Sequence, residues 1–527
     1  MVELAAVMDS GQKRLHELGY KQELTRTLSA ISSFALCLSV LSILLGVTAL
    51  YNTGLTYGGT ISFTWGWFIC GFFNLLVGLA MAEICSAFPT SGGLYFWSSQ
   101  MASPKWKPFA AWITGWYNVV GQWASTCSVS FAVSQMVQVM VLLGTGGTNG
   151  GGYLMNKYQM VATNAAILFS TGLLNCLPIG YLDYLGLFSA AWNFVGTFLL
   201  IVLIPAVATG RQTFSFVFTS FHVPTDLNLP SRPYVFLLGL LMSQYAICGF
   251  DASAHMSEET KASDRNGPFG ILAAIIVSIV LGYAYIMGIT FAVMDPDMLL
   301  DPANDAGGYA IGQLFYQVFK DRYGTGTGGI FCMGIVAVAV YLCCMSCITS
   351  NSRMTYAFSR DGALPLSKLW HKVNRHEVPI YAVWLSAFMA FVMTLPSLGS
   401  LVAFQAMVSI ATIGSYISYA IPIFIRITLA HRTFVPGPVN LGPRWRSLAV
   451  GWLAVIWVAT ITVLFCLPVR YPLNTESLNY TPAAVGGVFV LVMSYWLLSA
   501  RKWFKGPQQN FNYVPSLPGA DSKIAYA

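Results

Sequence analysis

Long stretches of this chain carry no charged side chain, and that restricts its folds more than any motif does. Only 27 Lys and Arg and 20 Asp and Glu are spread over 527 residues, and they cluster between apolar runs. A helix needs about 20 apolar residues to cross a bilayer. In lipid, only helices and closed barrels satisfy every backbone polar group. Runs of suitable length fall at 33–52, 61–82, 109–142, 160–178, 184–208, 234–257, 269–294, 329–352, 378–396, 400–425, 448–468 and 482–500. The pattern predicts an all-α polytopic membrane protein with twelve transmembrane helices. No polar stretch is long enough for a separate soluble domain, so function is expected on a route through the membrane.

An even span count puts both termini on one side, and the basic residues say which. With a cytoplasmic N-terminus, only Lys157, Arg211, Arg232, Lys320, Arg322 and Arg470 fall outside. The other 21 of the 27 fall inside, as the positive-inside rule requires. The net charge of +7 is therefore read as topology, and no nucleic-acid partner is expected. Glu3, Asp9, Glu17 and Glu23 argue against a cleavable secretory or transit signal. The third run is longer than a perpendicular crossing needs and is expected to tilt.

Several features resemble sites and are read otherwise. Cys343, Cys344 and Cys347 lack a flanking His or carboxylate, so they are assigned to helix packing and no metal is expected. The other cysteines show no disulfide spacing. The glycines of residues 144–152 lack the Lys-Ser/Thr of a phosphate loop and are read as a flexible outer loop. Asn479-Tyr480-Thr481 is a glycosylation sequon too close to a span to be an obvious acceptor. Glu83, ahead of Pro89, suits a gating or capping role. No cofactor motif is present.

Two runs look interrupted. The first contains SILLGVTA (42–49) and the sixth YAICGFDAS (245–253), each with Gly and small polar residues partway along. Five spans separate them, so they run in opposite directions, the pattern of two inverted five-helix repeats. An unwound helix in mid-membrane frees N–H and C=O groups that must line a polar cavity or bind something. Helix N-termini attract an anion and C-termini a cation, and a zwitterionic amino acid offers both. Asp251 is the acidic residue expected at membrane depth, where charge is expensive and usually functional. His255 follows at i+4 on the same face and could share a proton with it. Ser346, Thr349 and Ser350 place three hydroxyls on one face of the eighth span, candidates for Na⁺ or an equivalent coupling site.

At these residues the chain resembles a known family. The matching segments are AEICSAFPTSGGLY (82–95), GFDA (249–252) with EET (258–260), NGP (266–268) and SRMTYAFSRDGALP (352–365). They resemble the amino acid–polyamine–organocation superfamily, in its branch of amino-acid and choline transporters that includes plant bidirectional and GABA permeases. The resemblance implies a leucine-transporter-type fold, with five-helix repeats at 31–210 and 211–430. Two further spans follow at 431–501, with cytoplasmic tails at 1–30 and 502–527. It implies a substrate between spans 1 and 6, with spans 3, 8 and 10 contributing. The carboxylate would meet Leu45, Gly46, Val47 and Thr48. The amino group would meet Ala246, Ile247 and Cys248, beside Gly249 and Asp251, with Phe250 as an aromatic gate. Some relatives carry a coupling Lys in span 5, but residues 192–205 contain neither Lys nor Arg.

The expected function is alternating-access transport of amino acids, GABA or a broad range among them, with H⁺ or Na⁺ as candidate partners and no enzymatic step. Choline or polyamine is the alternative substrate class, given Phe250, Trp123, Trp192 and Asp251. An ion channel would need rings of like side chains or a carbonyl filter. An intramembrane enzyme would need a catalytic constellation that the spans lack. Plasma, Golgi and inner mitochondrial membranes all fit.

Overall fold

The computed structural model describes residues 9–20, 22, 24–224, 227–229, 231–474 and 478–507. Among these the regular elements are helices. Helix α1 (Ser10–Glu17) precedes an apolar segment divided into α2 (Ala30–Leu41) and α3 (Ile43–Thr56). Then come α4 (Thr60–Ala87), the short α5 (Leu94–Met101), α6 (Lys107–Gly144), α7 (Lys157–Asn175), α8 (Ile179–Val207) and α9 (Phe214–Thr219). The next apolar segment is also divided, into α10 (Arg232–Ala246) and the single turn α11 (Ala252–His255). Helix α12 (Ser263–Thr290) leads through α13 (Pro296–Leu300) and α14 (Ala310–Tyr323) to α15 (Thr327–Arg360) and α16 (Ser367–Trp370). The chain continues through α17 (Ile380–Thr394), α18 (Leu401–Thr428), α19 (Arg444–Leu464) and α20 (Thr481–Leu498).

Among the described residues, ten helical segments are long and apolar enough to cross a membrane, counting α2 and α3 as one. The expected fourth and sixth spans, α7 and α10 with α11, fall outside that set. Helix α7 buries Asn164, Thr171 and Asn175, and α10 stops after 15 residues where the chain unwinds. The long third run is the 38-residue α6. At 1.5 Å per residue it extends about 57 Å, well beyond a hydrocarbon core of about 30 Å.

The faces of α8 reveal the surrounding solvent. Val195, Phe198, Leu199 and Val202 share one exposed face, whereas Ser189, Asn193 and Thr197 are fully buried. Apolar-out and polar-in is the arrangement that lipid selects. Small residues allow close helix approach in such a bundle. A Cβ on Gly121 of α6 would lie 2.9 Å from the backbone nitrogen of Ser415 in α18, so these helices touch backbone to backbone.

The two divided segments lie side by side and antiparallel. Ser33 bonds Ser253 at 2.7 Å and Cys37 reaches the Phe250 carbonyl at 3.4 Å. Gly46 abuts Ala246, and Gly239 abuts the Tyr57 carbonyl. As numbering rises along one segment it falls along the other, which sets their interruptions at the same depth.

On the side of α1, the bundle is closed. The motifs EET and SRMTYAFSRDG meet there through two forked ion pairs. Arg353 Nε and Nη2 donate to Glu259 at 3.1 and 3.2 Å, and both Arg360 Nη atoms donate to Glu258 at 3.1 Å. The leading segment straps across this closure. Thr27 and Leu28 N–H groups donate to the Glu259 carbonyl and Lys261 N–H to that of Leu28. Arg26 donates to the Thr260 carbonyl at 2.7 Å, and the Arg360 guanidinium lies 4.8 Å from the Tyr20 ring centre. Forked, desolvated pairs are strong when intact and costly when one partner is lost.

On the opposite side the glycine-rich segment is docked rather than free. Thr148 N–H donates to the Asp305 carbonyl at 3.1 Å, while Asn149 and Lys320 each reach the Asp305 carboxylate at 3.0 Å. Burial works against the Asp305 charge, yet the bonds from Lys320 and Asn149 hold its carboxyl below the usual carboxylate range.

Two predictions follow from these ends. Arg353→Gln should loosen the strapped side and raise alkylation at Cys37, read by mass spectrometry, about tenfold, equivalent to a 1.4 kcal/mol shift in opening. An unchanged rate would mean that the ion pairs do not hold the closure. A carboxylate with a depressed pKa stabilises above its unfolded value and loses that contribution as pH falls through its folded one. Acidification to about pH 4 and below should therefore lower the protection of the amides of residues 145–152, measured as exchange relative to the intrinsic rate at each pH, and Asp305→Asn should abolish that dependence.

Candidate functional site

The first segment breaks at Ser42, whose backbone (φ 29°, ψ 93°) leaves the helical region. This corrects the expected interruption at Gly46. Gly46 is helical, and its N–H donates to the Ser42 carbonyl at 3.0 Å. Val47 and Thr48 lie inside α3 with it. Gly46 is needed for contact instead, since a Cβ there would lie 2.4 Å from that of Ala246. The groups freed by the break are the N–H groups of the first turn of α3, Ile43, Leu44 and Leu45, which have no preceding turn to bond. Of the expected set only Leu45 belongs to that turn. Ser42 Oγ does not cap the helix but bonds Asn193 of α8 at 3.0 Å.

The sixth segment unwinds where the sequence indicates. Helix α10 ends at Ala246, and residues 247–251 are non-helical before α11. Gly249 takes φ +96°, a conformation that side chains resist. Tyr416 donates to the Ile247 carbonyl at 2.7 Å, which leaves the Ala246 and Cys248 carbonyls at the negative end of α10. Phe250 is fully buried, its ring centre 5.0 Å from that of Tyr419.

Asp251 sits at the end of this break, 3% exposed. Tyr419 donates to Oδ1 at 2.6 Å, and Asn118 and Gln122 donate to Oδ2 at 3.0 and 3.1 Å. His255 Nε2 lies 3.2 Å from Oδ2, and its Nδ1 lies 3.1 Å from the Ser91 carbonyl. The expected Asp251–His255 pair thus forms, inside a cage drawn from α6, α18 and the turn before α5.

The three hydroxyls of the eighth span do not converge on the first break. Ser346 donates back to Leu342 at 3.1 Å, Thr349 turns to Asn175 of α7 at 2.6 Å, and Ser350 is buried on the same helix. The α15 side chain facing α2 just before the break is Cys343, 3.3 Å from the Val40 carbonyl. Trp192 donates to Ile335 at the α8–α15 contact, away from Asp251. Glu83 ties α4 to α19 through Ser447 and lies 3.7 Å from Arg426, a structural tether.

A cavity of about 1180 Å³ opens on the side away from α1. Leu50, Gln135, Tyr309 and Thr412 help line it, and Ser128 and Tyr245 hydrogen bond to each other at 2.9 Å in its wall. Its lining includes Ala49 and Tyr245, the residues adjoining Thr48 and Ala246. Asn118, Gln122, Tyr416 and Tyr419 are the residues that sequence reasoning missed. The signal available was polar or phenolic side chains at i+3 and i+4 spacing inside spans 3 and 10.

Comparison with known proteins identifies the family. The family described as Amino acid permease matches residues 28–490. The chain is 62% identical to the rice Amino-acid permease BAT1 homolog over 504 residues, covering 96% of each protein. It is 59% identical to Amino-acid permease BAT1 of Arabidopsis thaliana, covering 96% of this chain and 97% of that one. It is 29% identical to the GABA-specific permease of Saccharomyces cerevisiae, covering 96% and 87%. An integral membrane bundle with two interrupted helices at its centre and these relatives along nearly its whole length belongs to the amino acid permease family.

Proposed function

We propose that the chain is an alternating-access carrier that binds a zwitterionic amino acid between the two interruptions. The observation that carries this reading is their pairing: the first turn of α3 and the last turn of α10 lie on adjacent antiparallel helices, next to the cavity that Ala49 and Tyr245 help line. The positive helix terminus at Ile43, Leu44 and Leu45 receives the carboxylate, and the carbonyls of Ala246 and Cys248 receive the ammonium. Gly46, Val47 and Thr48 form the wall behind the carboxylate, Ile247 and Gly249 shape the turn, and Phe250 closes over it. Asp251 fixes the lower end of the unwound segment.

In this reading α7 and the α10–α11 pair complete twelve crossings. Residues 31–210 and 211–430 are inverted repeats, followed by two spans at 431–501. The side of α1 is cytoplasmic, in keeping with the basic residues, and both tails lie there. The cavity faces the other compartment, so the conformation is open outward and strapped inward. The substrate stabilises whichever state it binds more tightly, and rocking of the repeats exchanges the openings. The names of the rice, Arabidopsis and yeast relatives support amino acids as the substrate class, with GABA within the range. A choline or polyamine reading is weaker, because Asp251 already accepts three neutral donors and faces His255.

Counterflow in proteoliposomes tests the reading. Labelled alanine, GABA, glutamate, lysine and arginine should enter faster when the same amino acid is preloaded inside. Flux without such acceleration would indicate a channel. Gly46→Leu should reduce exchange by more than about tenfold, because the added atoms have no room beside Ala246 and force the central helices apart. The variant should still insert and purify as a monodisperse protein. Undiminished exchange would remove α3 from the binding site.

A further inference from the structure

We propose that a cavity beside α16 and the end of α20 binds the phosphate headgroup of an anionic phospholipid, in the leaflet on the side of α1. The inference goes beyond the carrier reading and does not depend on it. The cavity measures about 530 Å³. The closing GALP of the motif SRMTYAFSRDGALP helps line it. The forked ion pairs use Arg353 and Arg360 of that motif and leave these last residues without a part in the closure. Lys368 and Lys372 also line the cavity, as do Tyr495 of α20 and Trp503 just beyond it.

Its depth in the bilayer follows from α20. Phe489, Val490, Leu491, Leu497 and Leu498 are exposed on that helix, as lipid-facing residues are, and Leu498 is its last residue. Trp503 follows within one and a half turns, its indole N–H donating to Ser499 at 3.1 Å and its ring centre 6.3 Å from that of Tyr495. Hydrocarbon therefore gives way to headgroups at the cavity, the level that Trp and Tyr favour. Leu366 sits on the same rim. Its backbone takes φ +58°, a region that side chains resist, and its side chain is 72% exposed. A strained backbone that projects an apolar side chain outward gains nothing from packing. At this depth the side chain has acyl chains to enter.

Charge supplies the other half of the recognition. Residues 362–376 include Lys368, Lys372 and Arg375, and residues 499–507 include Arg501, Lys502 and Lys505, with no Asp or Glu in either stretch. The neighbouring carboxylates are engaged elsewhere. Glu258 and Glu259 hold Arg360 and Arg353, Asp361 accepts from Tyr95 at 2.8 Å, and Glu377 accepts from Thr25. Lys368 and Lys372 are both exposed and four residues apart, on one side of a helical turn. Two ammonium groups so placed, each with three donors, suit the oxygens of one phosphate. Basic pockets at this face of a membrane bundle take anionic headgroups. The lysines beside Leu366 and the lipid face of α20 match a phosphate joined to acyl chains better than a free anion.

The test uses the full chain in detergent, titrated with dioleoyl phosphatidylglycerol or dioleoyl phosphatidylcholine and read by native mass spectrometry. The anionic lipid should bind roughly tenfold more tightly, as two lysines beside a charged headgroup imply. In K368A/K372A, and in K368Q/K372Q as an independent replacement, that ratio should fall to about one. R444A/R446A removes the same charge from exposed positions outside the cavity and should keep the wild-type ratio. A wild-type ratio of one, an undiminished ratio in the lysine variants, or an equal loss in the arginine variant would overturn the site. Glycerol phosphate at the same concentration should leave the lipid bound. Its displacing the lipid would assign the cavity to a soluble phosphate and overturn the lipid as occupant.

Discussion

Peptide groups inside lipid must find partners, and this protein breaks two helices where water cannot supply them. The rest of the bundle answers that demand. Asn193 reaches in from α8 to Ser42. Tyr416 reaches from α18 to the Ile247 carbonyl, and Cys37 and Cys343 cover the Phe250 and Val40 carbonyls. Each is a weak or single bond, so the breaks are held without being sealed. The groups left at the two helix ends are opposite in sign.

Much of this was legible in the sequence, but unevenly. The unwound sixth segment could be read because Gly249 and Asp251 have no comfortable place in a continuous apolar helix. The first break was displaced by four residues because Gly46 is the obvious breaker and Ser42 is not. In the fold the glycine serves contact with Ala246, and the serine absorbs the turn at φ 29°. Such a backbone is strained for a residue with a side chain. Which small residue bends depends on its neighbour, and the neighbour lies some two hundred positions away.

Side-chain direction was the least accessible information. Ser346, Thr349 and Ser350 share a spacing that suggests one ligating face, yet the rotation of α15 turns Thr349 toward α7. Conversely, Asn118, Gln122 and Tyr419 acquire a purpose only when α6 and α18 meet around Asp251. The motifs that carried the family resemblance proved to be partners: EET and SRMTYAFSRDG are recognisable separately and join as two forked ion pairs.

The leading segment adds a mechanical consequence. Leu28 pairs with Thr260 as a short bridge, Ser33 clasps Ser253, and Cys37 touches the Phe250 carbonyl. Residues 28–37 are thus stitched at three points to residues 250–260, from the strap to the edge of the break. Two pieces so joined cannot swing apart one after the other. Any motion that parts them has to break these bonds together, and Ser42 and Gly249 are the left-handed backbone positions that bound the joined piece.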